Sequence, residues 1–423
     1  MGKCNGKSSS LTIEEIAPSM FASQDVLTAI LREGACKMLA EAIEAEVEQW
    51  IGERVDLVDP AGHRRVVRNG HLPSRSVLTG IGPIDVAAPR VADRRAAGER
   101  EKFRSAILPR YVRKAPSMEN VLPWLYLKGI SSSDFGEALE ALVGPSAQGL
   151  SASTIMRLKQ QWLEEYQGFS KRSLVGKHYV YVWADGIYFN IRLADPGNAR
   201  QCILVLMGAT ETGKKELIAI ADGYRESEQN WSELLGDCRA RGLTIEPKLA
   251  TGDGALGFWA ALAKAYPTTR HQRCWVHKEA NVLNKLPKGL QGKGRTMVQA
   301  IWMAETKAAA GAALDLFAET FGAKYPKAVE CLTKDREVLL TFYDFPAEHW
   351  ASIRTSNPIE STFATVRLRT DKTKGAGTRL ACLTMVFKLC QSAEKSWRAL
   401  NGCQRVAEVI AGVKFVDGLK AAA

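Results

Sequence analysis

The chain has 423 residues, a net charge of +11 and a pI of about 9.2, with 46% hydrophobic and 24% charged residues. This length predicts two or three domains, and the composition is typical of a globular protein. The absence of a run of about 18 apolar residues argues against a membrane span, and the polar first ten residues do not resemble a secretory signal. The nine widely spaced cysteines argue against a disulfide framework and favour a reducing cytoplasm.

The N-terminal part, residues 1–58, has a helical pattern. Apolar residues recur near a 3.6-residue period between Leu11 and Glu53, with Glu and Lys between them. Two amphipathic helices are therefore expected, with an apolar stripe that packs on another domain or on a second subunit.

Positive charge is concentrated in the next region, residues 59–116. From Arg54 to Lys114 there are 14 Lys and Arg against six Asp and Glu. β-Prone runs around the turn-forming Gly80–Pro83 predict a small β-rich module. Its basic side chains suit DNA phosphates, although a solvated basic face would have the same charge. The candidate contacts are Arg64, Arg65, Arg68, Arg90 and Arg94.

Residues 117–170 are again helical. Ser131–Ser133 and Ser151 or Ser153 are placed to cap helices, and Gly144-Pro145 separates them. The succession is helix-turn-helix-like, although a plain three-helix bundle has the same pattern. In the last helix, Arg157 and Lys159 are candidate DNA contacts.

Strands and helices alternate in residues 178–277. We expect a strand from Tyr179 ending at Asp185, a second from Ile187 to Leu193 and a third from Gln201 to Thr210. A helix, a short strand ending near Gly252, a second helix and a last strand at 269–276 follow. An α/β fold with a mixed, ribonuclease-H-like sheet is expected. We expect residues 278–350 to form an all-helical insertion. Residues 351–423 are expected to form the last part of the ribonuclease-H-like core together with C-terminal helices.

Three acidic residues are expected at positions where α/β folds commonly have their ligand-binding and catalytic sites. Asp185 and Asp253 are expected at strand ends, and Asn357-Pro358 opens a helix that has Glu360 in its first turn. Carboxylates brought together bind Mg²⁺, and two such ions promote in-line displacement at phosphorus. The alternative is that the two Asp-Gly pairs are ordinary turns and that Glu360 only complements a helix dipole. The nearby Arg367, Arg369 and Lys372 could hold phosphates or form a solvated helix face.

Cys274 and His277 form a Cys-x-x-His unit. A structural zinc site needs four ligands, and no second pair with suitable spacing follows, so a packing or hydrogen-bonding role is favoured over metal binding. No phosphate-binding Gly-x-x-x-x-Gly-Lys-Ser/Thr loop is present, which argues against nucleotide hydrolysis.

Taken together, these sequence motifs resemble those of the Mutator-like DDE transposases of bacterial insertion sequences, and the resemblance extends over nearly the whole chain. The aspartates of that family resemble Asp185 in Ala184-Asp-Gly-Ile and Asp253 in Gly252-Asp-Gly, and its glutamate resembles Glu360 in Asn357-Pro-Ile-Glu. Further matches are Arg68-Asn-Gly-His71, Leu125–Ser131, Gly223-Tyr-Arg-Glu-Ser227 and Gln272-Arg-Cys-Trp-Val-His277. The interval of 107 residues from Asp253 to Glu360 suits the helical insertion of the family.

The resemblance implies a transposase that acts on the terminal inverted repeats of its own element and on target DNA. It implies two Mg²⁺ or Mn²⁺ ions held by the three acidic residues, a dimer or higher multimer on paired double-stranded DNA ends, and a nucleoid-associated location in the bacterial cytoplasm. The alternative function is a sequence-specific DNA-binding repressor that does not cut.

Overall fold

The computed structural model describes residues 26–115, 152–191, 200–223, 225–254, 256–372 and 378–421, together with a few positions between 117 and 127. The chain forms two compact units, residues 1–155 and 156–423. The helices predicted before residue 26 and between 131 and 150 lie outside the described residues. Within the described residues, no helix is both long and apolar enough to traverse a bilayer.

The first unit combines one long helix with four short strands. The elements are α1 (Val26–Gly52), β1 (Val66–His71), β2 (Arg75–Thr79), β3 (Gly82–Val86) and β4 (Pro89–Asp93). β1 pairs antiparallel with β4, and β2 with β3. Ile43 of α1 packs with Val77, Ile84 and Val86 of the β2–β3 hairpin, and within the described helix the buried residues of the predicted apolar stripe are Ile43 and Val47.

One prediction for this unit needs correction. Thr79 pairs with Gly82, so the turn is confined to Gly80-Ile81, and Pro83 belongs to a strand instead of the turn. At the other end of the stripe, Ile30 and Met38 are exposed. The prediction that this stripe packs on another domain or on a second subunit stays a prediction.

The second unit is built on a five-stranded mixed sheet. Its strands are β5 (Tyr179–Asn190), β6 (Arg200–Thr210), β7 (Lys215–Gly223), β8 (Leu249–Gly252) and β9 (Arg270–Arg273). The order across the sheet is β7-β6-β5-β8-β9. β6 runs antiparallel to β5 and β7, whereas β5, β8 and β9 are parallel to one another.

Three antiparallel strands were predicted at the start of this sheet, but their assignment was wrong. The predicted break at Asp185-Gly186 does not exist, because Asp185 pairs with Val205 and Gly186 with Leu204 inside one 12-residue strand. The third antiparallel strand is β7, which the sequence analysis left unassigned. An Asp-Gly pair favours a turn locally, yet pairing along β6 overrides that preference. β9 is also shorter than predicted, since a helix begins at Trp275.

Helices cover both faces of the sheet and fill the segment between Asp253 and Glu360. The helices of eight residues or more are α2 (Ala152–Lys171), α3 (Glu228–Ala240), α4 (Leu256–Ala265), α5 (Trp275–Leu283), α6 (Lys288–Trp302), α7 (Lys307–Gly322), α8 (Pro326–Thr333), α9 (Asn357–Lys372) and α10 (Arg379–Glu394). The shorter elements are Arg336–Leu339, Thr341–Asp344, Ala347–His349, Trp350–Ile353, Cys403–Arg405, Val406–Ile410 and a hairpin of Phe415–Val416 with Leu419–Lys420. The predicted helical insertion is therefore helical in the structure.

The main apolar core of the second unit lies between the sheet and the α3–α4 pair. Alternate residues of β5 and β6, including Val182, Ala184 and Leu204, pack against Trp231 of α3 and Phe258 of α4. α3 begins where Ser227 caps it, with the Ser227 hydroxyl accepting a hydrogen bond from the Asn230 amide at 3.3 Å. The core holds these helices against one face and leaves the other face to the C-terminal segments.

Candidate active site

Asp185 is buried in the middle of β5, with only 6% of its surface exposed. Because side chains alternate along a strand, Asp185 points to the same face as Tyr181 and Trp183. That face is covered by residues 349–352: Tyr181 Oη lies 2.8 Å from His349 Nδ1, and Trp183 Nε1 donates to the Ser352 carbonyl at 3.0 Å. The carboxylate is thus placed between the sheet and the C-terminal part of the chain.

Asp253 directly follows β8, the strand that pairs with the Asp185 strand β5. Ala184 pairs with Gly252 in parallel register, so the following residues, Asp185 and Asp253, stand at the same level. The backbones of neighbouring strands are about 4.8 Å apart. The structure therefore brings together two aspartates that are 68 residues apart in the sequence.

Glu360 reaches the same region through the segment that precedes α9. Thr251 Oγ1 donates to the Ile353 carbonyl at 2.6 Å, and the Trp275 amide donates to the Arg354 carbonyl at 3.1 Å. These bonds tie the chain just before α9 to β8 and to the start of α5. Glu360 stands in the first turn of α9, as predicted, where the helix dipole favours a carboxylate.

The fully buried Ser356 connects Glu360 to the Cys-x-x-His unit. Its hydroxyl lies 2.8 Å from Glu360 Oε1, 3.1 Å from Cys274 Sγ and 3.4 Å from His277 Nδ1. The Ser356 amide also donates to Cys274 Sγ at 3.2 Å. His277 Nδ1 and Glu360 Oε1 are 3.7 Å apart. Cys274 and His277 thus form a hydrogen-bonded support beside Glu360.

Acidic neighbours and burial perturb the ionisable groups of this region. Burial, together with the nearby charges of Glu226 and Glu360, raises the pKa of Asp185 to about 7 against the lowering effect of His277. Burial lowers the pKa of His277, but its interactions with Cys274 and with the aspartates outweigh burial and raise the pKa to about 10. The site is an acidic cluster with one imidazolium as its partial counter-charge.

The sequence analysis did not single out Glu226 as a site residue. Burial and the charge of Asp253 raise its pKa, while His277 lowers it. The only sequence signal was its position in Gly223-Tyr-Arg-Glu-Ser227, immediately before the N-cap of α3. Its proximity to the aspartates depends on how the loop after β7 folds back over the sheet.

The oxygen-rich donor set suits hard divalent cations such as Mg²⁺ and Mn²⁺. Within the described part of the chain, one set of three possible ligand atoms lies within 4.8 Å of one another, and it belongs to Cys274, His277 and Glu360. Asp185 and Asp253 are not drawn equally close to Glu360. A two-ion site has its ligands spread around ions about 3.5–4 Å apart, so the three carboxylates need not share one ion.

The predicted DNA contacts are divided between the two units. Arg64, Arg90 and Arg94 are exposed in the first unit, Arg65 is half-buried, and Arg68 forms an ion pair with Glu44. In the second unit, the side chains of Arg157 and Arg367 are exposed and that of Lys159 is half-buried. The side chains of Arg369 and Lys372 lie outside the described set.

Comparison with known proteins gives a consistent result. The profile of the family described as "Transposase, Mutator family" matches residues 5–399. The chain is 52% identical over 301 residues to the transposase for insertion sequence element IS6120 of Mycolicibacterium smegmatis, covering 71% of this chain and 92% of that relative. It is 51% identical over 292 residues to the transposase for IST2 of Acidithiobacillus ferrooxidans, covering 67% and 95%. The transposase for ISRM5 of Rhizobium meliloti is 26% identical over 404 residues, 95% of each chain.

Proposed function

The chain belongs to the Mutator family of transposases, and from this premise we propose that it cuts and joins DNA at the ends of its own insertion sequence. In this proposal it binds the terminal inverted repeats as a dimer or higher multimer. Asp185, Asp253 and Glu360 form the active site. The activity is metal-dependent strand cleavage followed by strand transfer.

One observation carries the assignment of the active site. Asp185 and Asp253 stand at the same level along adjacent parallel strands, and Glu360 lies in the first turn of a helix whose preceding segment is hydrogen-bonded to β8. The sheet order β7-β6-β5-β8-β9 with β6 antiparallel supports a ribonuclease-H-like catalytic core. Asp185 lies on the central strand, β5, and Asp253 directly follows the adjacent strand, β8.

Asp185, Asp253 and Glu360 would hold two Mg²⁺ or Mn²⁺ ions. When bound, such a pair supplies Lewis-acid activation of the attacking oxygen and neutralises charge on the leaving oxygen. Burial of Asp185 keeps bulk water away from this carboxylate and strengthens its electrostatic interactions. Ser356 and His277 orient Glu360, since both are polar neighbours of its carboxylate.

The reaction needs no protein nucleophile. In the first step, the oxygen of water forms a bond to phosphorus and the P–O3′ bond breaks, which leaves a 3′-hydroxyl and a 5′-phosphate. In the second step, that 3′-hydroxyl attacks a phosphodiester of the target, and the target O3′ leaves with the proton. The role of the chain is to position both DNA ends and to hold the charges that stabilise each transition state.

DNA binding is assigned to the exposed basic residues of both units. Arg90 and Arg94 of the β-rich module are the clearest candidates, because both are exposed near one strand. If each contacts a phosphate, replacing both with Ala reduces the salt dependence of DNA binding by about two units in the log–log slope. An unchanged slope, measured by titrating end DNA at several salt concentrations, contradicts these contacts.

The catalytic proposal is tested with purified protein, labelled DNA carrying the ends of the element, and Mg²⁺ or Mn²⁺. Asp185→Asn, Asp253→Asn and Glu360→Gln are expected to abolish nicking and joining while end binding persists. Asp237→Asn is the matched control, since Asp237 is exposed on α3 and pairs with Arg241. Normal joining by the three variants refutes the site. A wild-type protein that binds the ends without nicking them supports the repressor alternative.

A further inference from the structure

Glu226 approaches the aspartates from the opposite side of the sheet. Gly186 follows Asp185 in β5, and its missing side chain would point to the α3–α4 face because residues alternate along a strand. A Cβ atom at Gly186 would lie 2.6 Å from Cγ, Cδ and Oε1 of Glu226. The Glu226 side chain therefore occupies the space that any residue other than glycine would fill next to Asp185.

The backbone around Glu226 is held in place by several contacts. Its amide lies 3.4 Å from Tyr188 Oη, and the Arg225 carbonyl accepts a hydrogen bond from Asn230 Nδ2 at 2.9 Å. A Cβ atom at Gly257 of α4 would lie 2.7 Å from the Glu226 carbonyl oxygen. The loop is thus fixed between β5, α3 and α4, and its acidic side chain is directed to Gly186.

Glu226 has little to compensate its charge within the protein. Asp253 and Asp185 are both electrostatic neighbours, and His277 is the cation that acts on it. Among the described residues, no lysine or arginine forms an ion pair with Glu226. By contrast, Glu228, two residues further along, is exposed and pairs with Lys264. A half-buried carboxylate within the electrostatic reach of two other carboxylates is costly unless a cation compensates their charge.

We propose that Glu226 is a fourth carboxylate of the active site, reaching the divalent cations of Asp185 and Asp253 through the gap left by Gly186. This inference rests on the proposed function, because it assumes that these aspartates bind cations. It accounts for two features together: a glycine within a buried strand and an acidic residue immediately before the N-cap of α3.

The test measures Mn²⁺ binding to the full chain by calorimetry, with no DNA present. Glu226→Gln keeps the shape of the side chain and is expected to weaken Mn²⁺ binding about 10- to 100-fold, the range for losing a group that supports a metal. The Tm of the metal-free variant is expected to equal or exceed that of the wild type, since one like charge is removed, while the rise in Tm on adding Mn²⁺ becomes smaller. Glu228→Gln is the matched control and leaves all three quantities unchanged.

Gly186→Ala provides an independent variant, because its methyl group displaces the Glu226 carboxylate without removing any ionisable group. It is expected to weaken Mn²⁺ binding to a similar degree, and the double variant to be no weaker than either single variant. Mn²⁺ affinity within twofold of the wild type in Glu226→Gln, or in Gly186→Ala should Glu226→Gln not fold, overturns the inference.

Asp185→Asn separates this inference from the proposed function. If Asp185→Asn retains Mn²⁺ binding and strand transfer, the proposed active site fails and Glu226 fails with it. If Asp185→Asn loses both while Glu226→Gln binds Mn²⁺ normally, the active site stands and only the role of Glu226 is refuted.

Discussion

Both faces of the central sheet are buried by apolar side chains, and the face that carries Asp185 adds directed hydrogen bonds to this packing. On the α3–α4 face, Val182, Ala184 and Leu204 pack against Trp231 and Phe258 in a continuous apolar cluster. On the other face, side chains from the same strands make directed hydrogen bonds to the segment before Glu360. Apolar packing supplies most of the stability, because burial is non-directional and scales with area.

The hydrogen bonds on the face that carries Asp185 fix the position of the chain segment before Glu360 relative to the sheet. Each of Trp183 and Thr251 lies two residues before an aspartate of the proposed active site and donates a hydrogen bond to a backbone carbonyl in residues 352–353. The strands that carry Asp185 and Asp253 therefore also hold the chain that carries Glu360. A site assembled in this way can keep its geometry while the α3–α4 face tolerates changes of shape.

The largest expected effect separates stability from activity on the face that carries Asp185. Asp185→Asn is predicted to lower strand transfer by on the order of 10³-fold or more, since cation-mediated stabilisation of the transition state is worth several kcal/mol. The metal-free variant is expected to be more stable by on the order of 1 kcal/mol, because a buried charge is removed. Single-turnover joining assays and denaturant unfolding with a chelator measure the two. A less stable metal-free variant contradicts the electrostatic account.

An intermediate effect is expected on the α3–α4 face of the sheet. Trp231→Ala removes a fully buried ring that packs edge-on against Phe258, with 5.0 Å between ring centroids. A loss of about 3–5 kcal/mol in the free energy of unfolding is predicted. Mn²⁺ affinity of the folded fraction should stay close to that of the wild type. A large loss of affinity at low temperature would show that the α3–α4 face also shapes the site.

The smallest effect concerns a single hydrogen bond. Thr251→Val removes the bond to the Ile353 carbonyl and leaves that buried acceptor unsatisfied, which costs about 1–3 kcal/mol of stability. Strand transfer is predicted to fall more than the folded fraction does, because Glu360 loses one of its anchors to β8. Thr268→Val is a suitable control, since Thr268 is exposed and bonds to Glu246. A proportional loss of activity and folded protein contradicts the positioning role.

Many secondary-structure elements of the second unit could be predicted from local sequence patterns. The helix that begins at Glu228, the strand before Asp253 and the helix with Glu360 in its first turn were all predicted, because caps, glycines and apolar periodicity act over a few residues. The resemblance to the family motifs also identified Asp185 and Asp253, among all acidic residues, as candidate metal ligands. The break expected at Asp185-Gly186 was wrong, since the pattern of a turn was overridden by pairing with β6.

The sequence by itself determined three candidate acidic residues, the helical character of the long interval before Glu360, and the basic character of the N-terminal region. Only the tertiary structure decided that β5 continues through Asp185, that Ser356 joins Glu360 to Cys274 and His277, and that Glu226 lies over Gly186. The reason is the range of the interactions involved. Propensities act between near neighbours in sequence, whereas strand register and contacts across a sheet depend on residues that are far apart in the chain.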